Sequence, residues 1–233
     1  MPKPSNAAAR SPKGYKGMGM EGCIANWYAR QTAKDIDEFR STAQRLAPQI
    51  RAGARVLEIA PGPGYLAIEL ARLTGCRMIG LDISKTFVAI ATRNAERTGV
   101  NVCFDQGDAA DLPYPGDVFD FIVCRAAFKN FSRPLAALDE MHRVLKPGGS
   151  ALIIDLRKDF SPHEIDDYVK DKGAINAALI KFTFHTMLKK RAYTQEGIRQ
   201  LVSQSQFRNG DLQSGMIGFE LWLRKPESEG AAR

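Results

Sequence analysis

The sequence lacks the features that mark secreted, metal-binding and membrane-spanning proteins. Its four cysteines, Cys23, Cys76, Cys103 and Cys124, are too far apart for a zinc site or a disulfide framework. The three histidines show no metal-ligand spacing either. No apolar run is long enough to span a membrane, and the N-terminus has no signal-peptide segment. We therefore expect a cytoplasmic protein with free thiols and no metal.

Acidic residues are missing from the first twenty positions, which carry Lys3, Arg10, Lys13 and Lys16. Residues 1–14 are also rich in Pro, Ala and Ser, which predicts a disordered basic tail. A transit peptide is the alternative, but the prolines argue against the amphipathic helix that it needs. The net charge of +7 indicates either solvated surface charge or attraction to an acidic substrate or a nucleic acid. Charge alone does not separate these readings.

From residue 55 onward, short apolar runs alternate with helical patterns. Strands are predicted at residues 55–59, 78–81, 100–104, 119–124 and 150–156, and helices at 65–73, 84–98, 134–145, 175–188 and 194–204. This alternation predicts an α/β fold, with a mostly parallel sheet and helices on both faces. The run 216–224 alternates as a last strand, and residues 206–212 are too few for a helical crossover. That strand is therefore predicted to pair antiparallel.

The segment 15–50 is predicted to be an N-terminal cap on the main domain. Its glycine-rich start, residues 14–22, is interpreted as irregular, and a helix is predicted over 32–49. Thr32 and Asp35 have the spacing of a capping box at the start of that helix.

The loop after the first strand is the most informative feature. Gly62, Gly64 and Ala67 form a G-x-G-x-x-A pattern that runs directly into a helix. Glycine lets the backbone approach a ligand and leaves helix N–H groups free to face it. An ordinary strand-to-helix turn is the alternative for this pattern taken alone.

Two acids at strand ends refine that interpretation. Asp82 ends the second strand, where a carboxylate can accept hydrogen bonds from ribose hydroxyls, so it suits NAD and S-adenosylmethionine equally. Its alternative role is a helix cap, which Ser84 fills better. Glu58 distinguishes between these two cofactors. An acid beside the loop repels the pyrophosphate of NAD but tolerates the sulfonium and the ammonium of S-adenosylmethionine.

A third candidate follows the third strand. Asp108 can accept the amino group of adenine, and the backbone N–H of Ala109 can bond a ring nitrogen. A surface Asx-turn is the alternative. The carboxyl ends of parallel strands share one edge of the sheet, and this position favours the binding role.

Five segments resemble, in order and spacing, the motifs of the class I S-adenosylmethionine-dependent methyltransferases. The resemblance covers roughly residues 55–157 and is greatest to the small-molecule branch of ubiquinone and menaquinone biosynthesis. The segments are residues 56–66, 79–84, 107–112, 119–124 and 143–149.

The resemblance implies a Rossmann-like, seven-stranded sheet with an antiparallel last strand. It also implies S-adenosyl-L-methionine as cofactor, in a methyltransferase domain over 51–233 with a substrate-capping insertion at about 160–192. The cofactor-binding residues expected from the motifs and the resemblance together are Tyr28, Glu58, Ala60, Gly62, Gly64, Asp82, Ile83, Asp108, Ala109, Arg125 and Ala126.

One position departs from the family pattern. The family has a glycine where this chain has Ala60, and an alanine does not easily adopt a positive φ. We therefore expect a slightly altered loop that still binds the cofactor.

Catalytic residues are not fixed by the sequence, and the candidates are Tyr28, Arg125 and His185. Tyr28 could cover the sulfonium through a cation–π contact or could simply pack in the core. Arg125 could bind a carboxylate or position the methionine end, with a surface arginine as the alternative. His185 could be a base, although a non-catalytic histidine fits equally. The apolar stretch 175–188 predicts an apolar or aromatic acceptor, with a core helix or a dimer face as alternatives.

The predicted function is methyl transfer to a small molecule. An RNA or protein substrate is the alternative, which the absence of an RNA-binding module disfavours. Methylation of exocyclic base nitrogens is excluded because Cys124-Arg125-Ala126-Ala127 replaces the motif that this chemistry uses. An NAD-dependent oxidoreductase and a relative that binds S-adenosylmethionine without methylating remain further alternatives, and a homodimer is left open.

Overall fold

The structure is a computed structural model that describes residues 14–16, 19–170 and 191–227. Most of the predicted basic tail, the predicted helix over 175–188 and His185 lie outside the described residues.

A single mixed sheet organises the described chain. The helices are α1 (Gly22–Thr32), α2 (Ile36–Leu46), α3 (Tyr65–Thr74), α4 (Lys85–Thr98), α5 (Pro134–Val144), α6 (Pro162–Val169) and α7 (Gln195–Gln204), with 3₁₀ turns at Ala33–Asp35, Ala47–Gln49 and Phe128–Asn130. The strands are β1 (Arg55–Ile59), β2 (Arg77–Asp82), β3 (Val102–Gln106), β4 (Phe119–Arg125), β5 (Leu145–Leu156), β6 (Asp211–Ser214) and β7 (Gly218–Arg224).

The strand order is β3-β2-β1-β4-β5-β7-β6. The first five strands pair parallel, whereas β7 pairs antiparallel with both β5 and β6. The predicted Rossmann-like, seven-stranded sheet with an antiparallel last strand is therefore confirmed. The order reverses between β2 and β4 on either side of β1, which is the switch point where such sheets bind ligands.

Both faces of the sheet are buried, as an apolar parallel sheet requires. Leu57 of β1 joins a core cluster with Leu138 of α5 and Ile198 of α7 on one face. The adjacent Val56 points to the opposite face and joins a cluster with Leu66 of α3.

Three local predictions are corrected. The helix α1 was not predicted, because only its small residues Ala25 and Ala29 are buried and they leave a faint periodic signal. The Thr32 capping box is wrong, since the Thr32 hydroxyl donates to the carbonyl of Tyr28 at 2.9 Å, back into α1. Strand β5 begins at Leu145 rather than at residue 150, because Leu145 already pairs with Phe119 of β4.

The described helices include none that is both long and apolar enough to cross a bilayer.

Candidate active site

A cavity of about 540 Å³ opens at the carboxyl edge of the sheet, beside the β1 switch point. Its volume is in the range of sites that bury a drug-sized ligand. The loops after β1, β2, β3 and β4 form its walls, and residues from the N-terminal segment cover it. Nearly every predicted cofactor residue therefore lies around one space. Those on its wall are Tyr28, Glu58, Ala60, Gly62, Asp82, Ile83, Asp108, Ala109, Arg125 and Ala126.

The loop after β1 is built from three left-handed residues. Ala60 and Gly62 have φ of 56° and Gly64 has φ of 82°. The expectation that Ala60 would avoid positive φ is wrong. Ala60 adopts the left-handed conformation of a glycine, which strains the backbone of the loop. Gly64 lies behind the cavity rather than on its wall, because a Cβ there would be 2.7 Å from the Phe104 ring and 2.9 Å from Ala91. Packing therefore requires a glycine at this position, and the predicted ligand contact of Gly64 stays a prediction.

Asp82 holds this loop against the second strand. One carboxylate oxygen accepts from the backbone N–H of Gly62 at 3.0 Å and the other accepts from Ser84 at 2.9 Å. Each oxygen keeps a further lone pair for a ligand hydroxyl. Burial raises the pKa of Asp82 to about 6, although both of these backbone donors lower it. Ser84 caps α4 by accepting from the N–H of Phe87, so the predicted cap is confirmed.

Glu58 is the most unusual group in the cavity wall. It is 3% exposed, and its Oε2 has no hydrogen-bond partner among the described residues. Burial raises the pKa of Glu58 to about 8, against the opposing attraction of Arg125. An unsatisfied buried carboxyl is costly unless a ligand partner completes it. A cationic ligand group would do so and would hold the carboxylate ionised.

Asp108, which follows β3, forms the predicted Asx-turn and also lies on the cavity wall. Its Oδ1 accepts from the N–H of Ala110 at 2.9 Å, which is the local turn, and its Oδ2 pairs with Arg133 at 2.9 Å. Asp108, Ala109 and Ile83 nevertheless all line the cavity. The turn thus holds the carboxylate of Asp108 at the cavity wall and does not take it away from the cavity.

Arg125 joins the end of β4 to the N-terminal helices. Its guanidinium pairs with Glu38 at 2.5 Å and lies 4.5 Å from the centre of the Phe39 ring. These contacts fix it at the wall, close enough to Glu58 to lower the pKa of that carboxyl. Ala126 follows with φ of 60°, a second strained alanine facing the same cavity.

The N-terminal residues are latched over the cavity by the start of α4. The Glu21 carboxylate accepts from the N–H groups of Lys85 and Thr86 at 3.0 and 3.1 Å. The hydroxyl of Ser84 donates to the carbonyl of Met20 at 2.6 Å. A carboxylate at a helix N-terminus is favoured by the helix dipole. Tyr28 is thereby held at the cavity wall, with its ring edge-on to Phe87.

The cavity wall also has a basic part, here called the basic end. Lys129 is 4% exposed, and its ammonium group bonds Asp155 at 2.7 Å and the carbonyl of Ala126 at 2.5 Å. Lys16 and Arg191 also line this end.

Cys124, in contrast, is fully buried beneath the wall, and burial raises the pKa of its thiol well above the usual range. This environment favours an inert core thiol over a nucleophile.

Five wall residues escaped the sequence reasoning: Lys16, Glu21, Phe39, Lys129 and Arg191. Glu21 directly precedes a helix, but its partner is the start of a different helix far along the chain. Phe39 lies on helix α2, and Lys16, Lys129 and Arg191 lie in loops or turns, so none of the four belongs to a motif. A contact map, rather than any spacing, is the signal that would have revealed them.

Comparison with known proteins agrees with this geometry. Residues 56–149 match the family described as "Methyltransferase domain". Over these residues the chain is similar to that methyltransferase family. The matched residues run from β1 through the first part of β5 and so include the loops that carry Glu58, Asp82 and Asp108.

Two curated relatives are similar to about half of this chain. The demethylmenaquinone methyltransferase of Thermus thermophilus is 39% identical over 106 residues, covering 45% of this chain and 48% of that protein. The ubiquinone/menaquinone biosynthesis C-methyltransferase UbiE of Coxiella burnetii is 37% identical over 114 residues, covering 47% of this chain and 46% of that protein. The chain thus spans about half the length of the curated relatives that it matches.

The fold is shared over a longer stretch. A crystal structure described as a putative S-adenosyl-L-methionine-dependent methyltransferase from Methanococcus maripaludis aligns with a TM-score of 0.75. The alignment covers 92% of this chain and 97% of that one at 21% identity. The similarity extends the fold assignment beyond residues 56–149 to most of the chain.

Proposed function

We propose that this protein transfers a methyl group from S-adenosyl-L-methionine to a small-molecule acceptor. The observation that carries the proposal is the set of three acids, Glu58, Asp82 and Asp108, at the ends of three neighbouring strands around one cavity. When bound, the cofactor supplies an electrophilic methyl group on a sulfonium. The relatives whose names state methyl transfer to quinone precursors support the same reaction class.

Each acid matches a different part of that cofactor. The unpartnered Oε2 of Glu58 suits the ammonium of the methionine end, and Asp82 has free lone pairs for the ribose hydroxyls. Asp108, beside the buried Ala109, suits the adenine amino group. Arg125 lies near Glu58 and suits the methionine carboxylate. Glu58 lies beside the loop that a pyrophosphate would approach, which disfavours a dinucleotide.

The chain's own part in the reaction is alignment and exclusion of water. Tyr28, the latch of Glu21 and the residues 14–16 cover the cavity, so the acceptor and the methyl group meet in a restricted space. Burial raises the pKa of the Tyr28 hydroxyl, which makes that hydroxyl a hydrogen-bond donor rather than a base at neutral pH. We propose that Tyr28 positions the reacting groups, and that His185, outside the described residues, remains the candidate base for a protonated acceptor.

Ligand binding tests the cofactor directly. S-adenosylmethionine and S-adenosylhomocysteine are expected to raise the melting temperature of the full chain, whereas NAD and NADH leave it unchanged. Stabilisation by NAD alone would contradict the proposal. A small-molecule panel with methyl-labelled S-adenosylmethionine then separates methyl transfer from binding without methylation. Label in no product, despite tight cofactor binding, would favour the non-methylating relative, because a shared fold does not fix the reaction.

The proposed setting is the cytoplasm, where the four cysteines, all free thiols in this structure, would stay reduced. An RNA or protein substrate is the competing acceptor class. Label transferred to macromolecules in a lysate, but to no metabolite, would favour it.

A further inference from the structure

We infer that the acceptor carries an anionic group, a carboxylate or a phosphate, which Lys16 and Arg191 bind at the basic end of the cavity. This inference rests on the proposed function, because it specifies the substrate class of the same site.

The argument begins with the cations around the cavity and their partners. Arg125 and Lys129 line the cavity, and each forms an ion pair with a carboxylate, namely Glu38 and Asp155. Lys16 and Arg191 line the same cavity, but no carboxylate of residues 14–16, 19–170 or 191–227 pairs with either of them. Two of the four lining cations are thus already neutralised, and two have charge left for a ligand.

Lys16 is held toward the cavity by its neighbours. Its backbone N–H donates to the carbonyl of Asn130 at 2.6 Å, and Tyr15 forms a β-bridge with Phe131. Its ammonium lies 3.4 Å from the hydroxyl of Tyr193 and 5.2 Å from the centre of that ring. Partial burial lowers the pKa of Lys16, as expected for an ammonium drawn out of bulk water. Lys16 is an exposed residue, but its ammonium is folded onto Tyr193 instead of extending into solvent.

Arg191 approaches the same loop from the other side. A guanidinium nitrogen donates to the side-chain oxygen of Asn130 at 3.5 Å. A guanidinium carries five N–H donors, so this single long contact leaves most of them available for a bidentate acceptor. Asn130 therefore connects both cations, and the nearby Phe131 and Leu156 give that end of the cavity apolar walls. An organic acid with an apolar or aromatic body fits this combination.

The cofactor's own carboxylate is the competing occupant. Arg125 is better placed for it, because it lies near Glu58 and lowers the pKa of that carboxyl, whereas Lys16 and Arg191 are not among the charges that shift it. The cavity is thus polarised, with one end suited to a cation and the other to an anion.

Matched acid and amide pairs test the inference. The full chain is first saturated with S-adenosylhomocysteine, and 3-hydroxybenzoate, 3-hydroxybenzamide, indole-3-acetate, indole-3-acetamide and phenyl phosphate are then titrated by calorimetry. A charge-assisted contact predicts that at least one acid binds about tenfold or more tightly than its neutral partner. The double variant Lys16→Gln/Arg191→Gln should abolish that preference. The control Lys34→Gln/Arg199→Gln removes equal charge at exposed positions and should preserve it.

Each result has one meaning. A preference for phenyl phosphate over both carboxylates assigns the site to phosphate, and the reverse assigns it to carboxylate. Equal binding of acids and amides, or a preference that survives in the double variant, overturns the inference. A large loss of S-adenosylhomocysteine affinity in the double variant also overturns it, because the two cations would then serve the cofactor. Failure of the unmodified chain to bind S-adenosylhomocysteine would instead contradict the proposed function.

Discussion

The two ends of the cavity are built in different ways. The acidic end uses residues at the carboxyl ends of adjacent parallel strands, where the sheet itself sets their positions. The basic end uses residues 14–16, the turn Phe128–Asn130 and Arg191, which reach the cavity from separate parts of the chain. The acidic end therefore depends on the fold alone, whereas the basic end depends on contacts between loops. Such an arrangement suits a common cofactor at one end and a variable acceptor at the other.

The largest expected effect is a loss of stability when the buried ion pair between Lys129 and Asp155, at the basic end, is broken. Lys129→Met leaves Asp155 as an unpaired buried charge, which costs about 3–5 kcal/mol of unfolding free energy. Urea denaturation would measure it. The double variant Lys129→Met/Asp155→Asn removes the unpaired charge and should recover much of the loss, because an asparagine oxygen still accepts from one of the two backbone N–H groups that bond Asp155.

The matched control for this ion pair is Lys146, whose bond to Asp120 is much more exposed. Lys146→Met should cost less than about 1 kcal/mol, as surface pairs do. Equal losses in the Lys129 and Lys146 variants would show that the buried pair does not support the basic end.

The next largest effect is expected at the acidic end. Asp82→Ala removes the acceptor of the Gly62 and Ser84 N–H groups and the proposed acceptor of the ribose hydroxyls. We expect S-adenosylhomocysteine to bind about 100-fold more weakly, equivalent to roughly 2–3 kcal/mol. Calorimetry on folded protein measures this. Asp211→Ala, on the edge strand β6, is the control and should not change the affinity. Unchanged binding by Asp82→Ala would mean that the ribose lies elsewhere.

The sequence was sufficient for the fold and for the acidic end, for a physical reason. The alternation of strand and helix fixes which strand ends are neighbours, so Glu58, Asp82 and Asp108 could be placed together before any coordinates. Lys129 and Asp155 could not, because their contact joins the ends of β4 and β5 through a turn that no motif specifies. The helix α1 was missed because it buries only small residues.

Glu58 offers a smaller effect that depends on pH. Its pKa in the folded chain is about 8, above the ordinary glutamate value of 4.5, so the folded state binds a proton that the unfolded state releases. Stability from this group is therefore complete below pH 4.5 and is lost as the pH rises toward 8. The melting temperature of the unmodified chain should fall more steeply across this window than that of Glu58→Gln. The difference between the pH profiles of the unmodified chain and of Glu58→Gln gives the contribution of Glu58. It separates that contribution from the one of Asp82, whose pKa is raised by burial to about 6.

The same carboxyl should couple cofactor binding to proton release. At pH 7, binding of the ammonium-bearing S-adenosylhomocysteine should release up to about one proton, seen by calorimetry in buffers of different ionisation enthalpy. Methylthioadenosine, which lacks the ammonium, should release none. Affinity for S-adenosylhomocysteine should also increase as the pH rises from 6 to 8. Equal proton release with both ligands would mean that Glu58 does not face the ammonium.

The smallest effect is expected at Ala60, where the acidic end departs from its family pattern. A left-handed alanine is strained by roughly 1 kcal/mol relative to glycine, but glycine also gives the unfolded chain more freedom. Ala60→Gly should therefore stabilise the chain by about 0.5 kcal/mol in urea denaturation. The control Ala136→Gly, inside helix α5, should destabilise it by about 1 kcal/mol. If both variants lose stability alike, the backbone at Ala60 is not strained, and the left-handed alanine does not reduce the stability of the acidic end.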